Sequence, residues 1–238
     1  MRRTFISTSW TLGVDPEDIR TLLRTIEDIY ILLRRGVKHP EQYDPLPTVR
    51  AFGAWVIPAL PQGAAYSSME WYVERSLNDT RDHILASRYM EIVQLEPWQI
   101  QNPHFDLCLT HLPILDDMTA GTAKGEVLGF SRRGLVSLIS THPFDRFDDP
   151  ALRRLAIEYT VAHYFGSLFD VPIISRRSEA EEHNGEPYCI NVCARRYADT
   201  PDAALEFARE QAASGIVYCA TCQHEMLGQI TAFYYGVN

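Results

Sequence analysis

FDLCLTHLPILDDMTAGTAKGEVLGFSRRGLVSLIS (residues 105–140) and DPALRRLAIEYTVAHYFGSLF (residues 149–169) decide how this chain is read. In the first stretch Phe105, Leu107, Leu109 and His111 alternate with Asp106, Cys108, Thr110 and Leu112, the period-two pattern of a strand. Residues 127–130 and 135–140 predict two further strands around a turn at Arg132, Arg133 and Gly134. The second stretch opens as a helix should. Asp149 can cap it and Pro150 takes the first helical position. Leu152, Leu155, Ala156, Tyr159, Ala162, His163 and Phe165 then recur at helical spacing.

Upstream, residues 4–10 predict a strand, and a strongly marked helix follows. Asp15 is its N-cap, Pro16 its first residue, and Glu17 and Asp18 favour the positive end of the helix dipole. Val14 and Ile19 are spaced as a hydrophobic staple. Ile19, Leu22, Leu23, Ile26, Tyr30 and Leu33 form one apolar face, which Arg34, Arg35 and Gly36 close. Five prolines between residues 40 and 61 predict irregular chain with one strand near residues 54–57. Residues 67–89 read as helix broken near Asn78. Residues 175–187 read as a polar loop, and Thr200 and Pro201 start another helix that runs to Gly215. The expectation is an α+β, mixed α/β chain folded as a single domain over residues 1–238. Residues 1–147 carry most of the strands, and residues 148–238 carry a helix and a cysteine segment.

The composition is that of a globular chain: 238 residues, 46% hydrophobic and 22% charged. No apolar run approaches the roughly 18 residues of a membrane span. The start of the chain lacks a secretory pattern, so a cytoplasmic location is expected. Net charge is −9, from 22 basic and 31 acidic residues. No basic cluster stands out, which argues against nucleic-acid binding by counterion release. All the basic residues except Lys38 and Lys124 are Arg, as a GC-rich coding bias would give.

Cysteine placement is more telling. Cys108 stands alone in a strand and reads as a core residue. Cys189, Cys193, Cys219 and Cys222 form Cys-x3-Cys and Cys-x2-Cys pairs 25 residues apart. Two short pairs joined by one excursion suit a tetrahedral thiolate site, and four thiolates leave no open position, so the zinc would be structural. Four reduced thiols, or a redox pair at Cys219 and Cys222, are the alternatives.

This order of features resembles the archaemetzincin family of zinc metallopeptidases, whose HExxHxxGxxH helix is followed by a four-cysteine zinc site ending in CxxC. The resemblance spans roughly residues 100–225, including residues 106–109, Asp116, Asp117, 127–130 and 135–140. It implies a zincin-like sheet-and-helix fold, a zinc-stapled C-terminal segment and, in intact members, a second, catalytic zinc. Laid on residues 155–169, the motif keeps its second His as His163 and its Gly as Gly166. Its first His falls on Tyr159, its catalytic Glu on Thr160 and its third His on Phe169. The family's Met after the second cysteine falls on Arg195.

HExxH works because residues four apart share a helix face and a carboxylate stands beside the metal-bound water. Neither condition holds here. His163 is the one candidate catalytic residue, and the alternative for it is a core or supporting histidine. His111, His142 and His183 are the candidates for a rewired metal site, and Glu158 is the nearest carboxylate to the lost base. Asp116 and Asp117 are expected to shape a loop. Gly166 is expected to end its helix in a left-handed turn. Two functions follow. The chain is a former peptidase that binds a partner or peptide-like ligand, or it is a zinc hydrolase rebuilt around His163. The oligomeric state is not legible.

Overall fold

In the computed structural model, residues 5–37, 46–54, 68–118, 125–171, 189–190, 201–214 and 218–235 are described. A five-stranded sheet runs in the order β2-β1-β4-β8-β7. Its strands are β1 (Phe5–Trp10), β2 (Thr48–Gly53), β4 (Phe105–Thr110), β7 (Gly129–Arg132) and β8 (Val136–Ser140). Strands β2, β1, β4 and β8 are parallel, and β7 closes one edge antiparallel to β8. A small second sheet joins β3 (Ile84–Leu85), β5 (Ile114–Leu115) and β6 (Glu126–Val127).

All six residues of β4 are buried. The alternation read from the sequence is therefore real but separates two protein faces, not core from solvent, as expected of a parallel sheet covered on both sides. One face carries Ile6, Phe105, Leu107, Leu109 and Ile139. Onto it pack helix α1 (Pro16–Arg34), through Leu22, Ile26, Ile29 and Leu33, and helix α5 (Pro150–Leu168). The other face carries Cys108, Val136 and Leu138 and meets helices α2 (Met69–Ser76) and α3 (Ala86–Leu95) through Tyr72, Val73, Tyr89 and Val93. Each Leu or Ile so buried contributes about 1.5–3 kcal/mol. Helix α4 (Pro97–Gln101) is a single turn before β4.

Both marked helices start as their sequences dictate. Asp15 accepts from the Glu17 N–H at 2.7 Å, and Asp149 from the Ala151 N–H at 2.8 Å. Helix α5 is buried on nearly every side from Ala156 onward, because the sheet, α1 and helix α6 (Pro201–Ser214) surround it. Helix α7 (Ala220–Tyr235) completes the C-terminal segment. Its Met226 and Ile230 join the same core as Ile6 and Leu22.

Several expectations need correction. The strand placed at residues 54–57 lies at Thr48–Gly53; Ala54 is in a turn, and residues 55–57 lie outside the described residues. The interruption at Asn78 is a full break. A turn from Asn78 to His83, with Arg81 left-handed (φ 62°), leads through β3 into α3, which continues to Leu95. Gly166 lies inside α5, and the left-handed residue that ends this helix is Asp170 (φ 64°). The polar loop at 175–187 lies outside the described residues. No helix among the described residues is long and apolar enough to cross a membrane.

Candidate functional site

Three of the four clustered cysteines come together. The Sγ atoms of Cys189, Cys219 and Cys222 all lie within 4.8 Å of one another, and all three residues are fully buried. Cys193 lies outside the described residues. Cys219 directly precedes α7 and Cys222 sits in its first turn. There the helix dipole and unspent backbone N–H groups favour negative sulfur. The Cys219 N–H points at Cys189 Sγ (3.2 Å) and the Cys222 N–H at Cys219 Sγ (3.4 Å). The neighbouring Cys219 and Cys222 thiols, and then burial, push the Cys189 thiol far up. Without a cation the Cys189 sulfur is therefore held as a thiol, and a divalent soft ion would reverse that. Tetrahedral zinc at about 2.3 Å from sulfur needs sulfurs about 3.8 Å apart. The spacing and chemistry of the donors thus fit zinc. The cluster is tied to the body of the molecule by Tyr218, whose hydroxyl donates to the Ala162 carbonyl of α5. Gln223 in turn donates to the Tyr218 carbonyl at 2.8 Å.

Helix α5 carries the positions on which the HExxHxxGxxH motif falls, and they are packed. Tyr159 is buried with its ring 6.0 Å from Phe207 of α6. Thr160 is buried and spends its hydroxyl on the Ala156 carbonyl at 2.8 Å. Phe169 is buried with its ring 4.8 Å from Phe105 and 5.1 Å from Phe165. His163 is half-buried, its ring 4.9 Å from Tyr164, and desolvation pushes its pKa down to about 4. At neutral pH it is an uncharged imidazole. Next to it, the Tyr164 hydroxyl donates to the Gly129 carbonyl at 2.6 Å and locks α5 against edge strand β7. A Cβ at Gly129 would lie 2.5 Å from the Leu138 carbonyl and 2.9 Å from the Tyr164 ring, so only glycine permits this approach.

The remaining candidates are scattered. Glu158 lies 3.6 Å from Arg154 across one helical turn, and burial raises its pKa. Asp117 accepts from the N–H of Ser87 (2.8 Å) and from its hydroxyl, capping the start of α3, while Asp116 accepts from the Met118 N–H at 2.9 Å. Both shape the loop, as expected. Cys108 is a core thiol 3.1 Å from Ser9 Oγ, pushed up to about 12 by burial. His183 lies outside the described residues.

His111 and His142 do share a cleft, though His163 does not line it. Both line a cleft of about 720 Å³ where β1, β4 and β8 end. Arg153 of α5 lines this cleft as well. It lies ten residues before His163, about 15 Å along the helix. His83, with Asp82 and Glu126 beside it, completes a trio of imidazoles that sequence reasoning missed. The available signal was positional, since His111 and His142 each follow a strand of the same parallel sheet.

The fold is similar to that of a solved archaemetzincin from Methanopyrus kandleri, with a TM-score of 0.56, 14% identity and 96% of each chain covered. It is also similar to a zinc-dependent peptidase from Methanocorpusculum labreanum strain Z. That match has a TM-score of 0.55 and 14% identity, and it covers 93% of this chain and 99% of that one. No protein-family model and no curated protein matches the sequence. The chain thus has the mixed α/β fold of archaemetzincin, and the likeness extends over almost its whole length, including the first hundred residues.

Proposed function

We propose that this chain is a zinc-stapled, non-hydrolytic relative of the zinc peptidases whose fold it shares, retained to bind a protein or peptide-like ligand. One observation carries the reading. The helix positions that would hold a catalytic zinc and its base are Tyr159, Thr160 and Phe169, all buried, while three cysteines of the second site still converge. Phe169 offers no donor atom and Tyr159 only a phenolic oxygen, a poor zinc ligand, and a threonine that donates to its own helix cannot take a proton near neutrality. His163 alone supplies one imidazole, where a catalytic zinc needs three protein ligands and an open position. If the chain were merely decaying, the cysteines would have no reason to keep their convergence.

In this reading Cys189, Cys193, Cys219 and Cys222 hold one structural zinc. The ion fastens the start of α7 to α5 through Tyr218. A soluble, cytoplasmic chain without nucleic-acid affinity is part of the same proposal.

Metal content per chain, measured on protein purified without added zinc and again after zinc dialysis, tests this. One tightly held zinc, released only with unfolding and lost in Cys219→Ser, is expected. No cleavage of a peptide mixture is expected either. A second equivalent that disappears in His163→Ala, accompanied by zinc-dependent peptide hydrolysis, would overturn the non-hydrolytic reading. It would favour a metal site rebuilt around His163.

A further inference from the structure

The cleft that gathers His83, His111 and His142 occupies a meaningful place in the topology. From β1 the chain crosses through α1 to β2 on one side, whereas β4 and then β8 extend the sheet on the other. The connections leaving β1 and β4 therefore diverge and leave a crevice beyond their carboxyl ends, where open α/β sheets take ligands. Gly13, just after β1, and His111, just after β4, lie side by side in its lining. A Cβ at residue 13 would fall 2.5 Å from the His111 ring, so the imidazole lies against bare backbone. It is held there by Thr11 Oγ1, 2.9 Å from Nδ1. The volume, about 720 Å³, lies within the range of small-ligand and side-chain pockets.

The charge of the cleft is one-sided. Asp15, Asp82, Glu126 and Asp145 line it, and Arg153 is its one arginine among the described residues. That guanidinium is already committed: Nε and one terminal nitrogen go to Asp18 (3.1 and 2.6 Å), and the other goes to Asp145 (2.6 Å). His83 lies between Asp82 (2.7 Å) and Glu126 (3.1 Å), and His142 is 3.7 Å from Asp145. Among the described lining residues four carboxylates accompany one arginine, in a chain whose net charge is −9. Such walls concentrate a negative potential. Apolar surface adjoins it. Leu112 and Pro113 line the cleft, and Leu12, beside Gly13, is 78% exposed. The Leu12 N–H is anchored on Glu70 at 2.7 Å, so this leucine is presented to solvent from a fixed backbone. A second cleft of about 610 Å³ shares Asp15 and Arg153 and is lined also by Glu17, Asp18 and Arg154.

We propose that this crevice binds a basic side chain, Arg or Lys, of a peptide segment, with the cation among the carboxylates and the aliphatic stem against Leu112 and Pro113. The proposal rests on the reading above that the chain binds a peptide-like ligand without cleaving it, and it places that ligand away from His163.

The test uses the full-length, zinc-loaded protein and two capped tripeptides, acetyl-Ala-Arg-Ala-amide and acetyl-Ala-Glu-Ala-amide, followed by calorimetry and by imidazole NMR. Saturable binding of the arginine peptide is expected, weakened by salt, with shifts at His83, His111 and His142. Glu126→Gln and Asp15→Asn should each weaken it roughly two- to fivefold. The first removes a half-exposed carboxylate and the second keeps an N-cap residue, so both variants should fold. Absence of binding, equal binding of the glutamate peptide, or unchanged affinity in both variants would overturn the proposal. Cleavage of the arginine peptide would instead overturn the non-hydrolytic reading, and the shift map would still decide the cleft.

Discussion

Arg153→Met removes the cation that joins three elements: α5, the start of α1 through Asp18, and the turn at Asp145. Asp18 is 2% exposed, and Arg153 gives it two hydrogen bonds, at 3.1 and 2.6 Å. Desolvation holds the Asp18 carboxyl above its ordinary range even with the guanidinium beside it. Without Arg153 the burial is uncompensated, and removing one partner of a buried pair costs about 3–5 kcal/mol. The arginine side chain is 19% open to solvent, so the lower end, about 3 kcal/mol, applies. For a chain of this size that is a fall in Tm of roughly 6–12 °C. The sign with pH is also fixed. A folded-state pKa raised above the unfolded value means stability present at low pH and lost as pH rises through the folded value. The variant should therefore lose less against wild type at pH 4.5 than at pH 7. Denaturant unfolding of wild type, R153M, D18N and D18N/R153M at both pH values measures this, and the double variant should recover most of the loss at pH 7. A cost below about 1 kcal/mol for R153M, or a double variant as unstable as R153M, would refute the reasoning.

Three further outcomes can be checked separately. Tyr164→Phe leaves the buried Gly129 carbonyl without its 2.6 Å donor and should cost about 1–2 kcal/mol, read from denaturant midpoints. Gly129→Ala forces a Cβ to within 2.5 Å of the Leu138 carbonyl in the same sheet edge, so it should cost about 3 kcal/mol or more and expose β7 in hydrogen exchange. His163 should titrate near pH 4 in NMR, well below its ordinary 6.5. A depressed histidine gives stability that is complete above the unfolded pKa and is lost as pH falls toward 4. His163→Gln should flatten that loss, and a measured pKa near 6.5 would show that water reaches the ring.

How much of this is legible in the sequence depends on how local each signal is. Asp15-Pro16 and Asp149-Pro150 announce helix starts because capping is settled within four residues, and both helices begin there. The strands at 105–110 and 136–140 are legible because β-branched and apolar runs at that length have few other uses. Helix Ala220–Tyr235 is not anticipated. Gly228, Thr221 and Thr231 weaken its propensity, and its stability comes from Met226 and Ile230 entering a distant core. The strand at Thr48–Gly53 is displaced in the reading because prolines on both sides obscure its ends. The cysteine convergence is legible from spacing. The cleft is not, since Asp15, Asp82, His111 and His142 come from four separate connections and Glu126 from strand β6, which only the tertiary fold brings together.

On the proposed non-hydrolytic reading, the aromatic residues in and just after α5 also set the cost of placing a metal-ligand set there. Tyr159 packs on Phe207, and Phe169 on Phe105 and Phe165, so these rings help hold α6 and the sheet to α5. Replacing each ring by a smaller polar side chain costs about 3–5 kcal/mol. A carboxylate at Thr160 would be buried without a partner, which costs several kcal/mol more. Those losses together approach the 5–15 kcal/mol by which a whole domain is stable. Restoring the ligand set therefore requires α6 to withdraw from α5 at the same time. The thiol cluster is fastened to the same helix, because Tyr218 donates to the Ala162 carbonyl, three residues from Tyr159. On the proposed reading, a zinc staple and an aromatic core on one helix favour a rigid binding scaffold over a site that must open for water and a scissile bond.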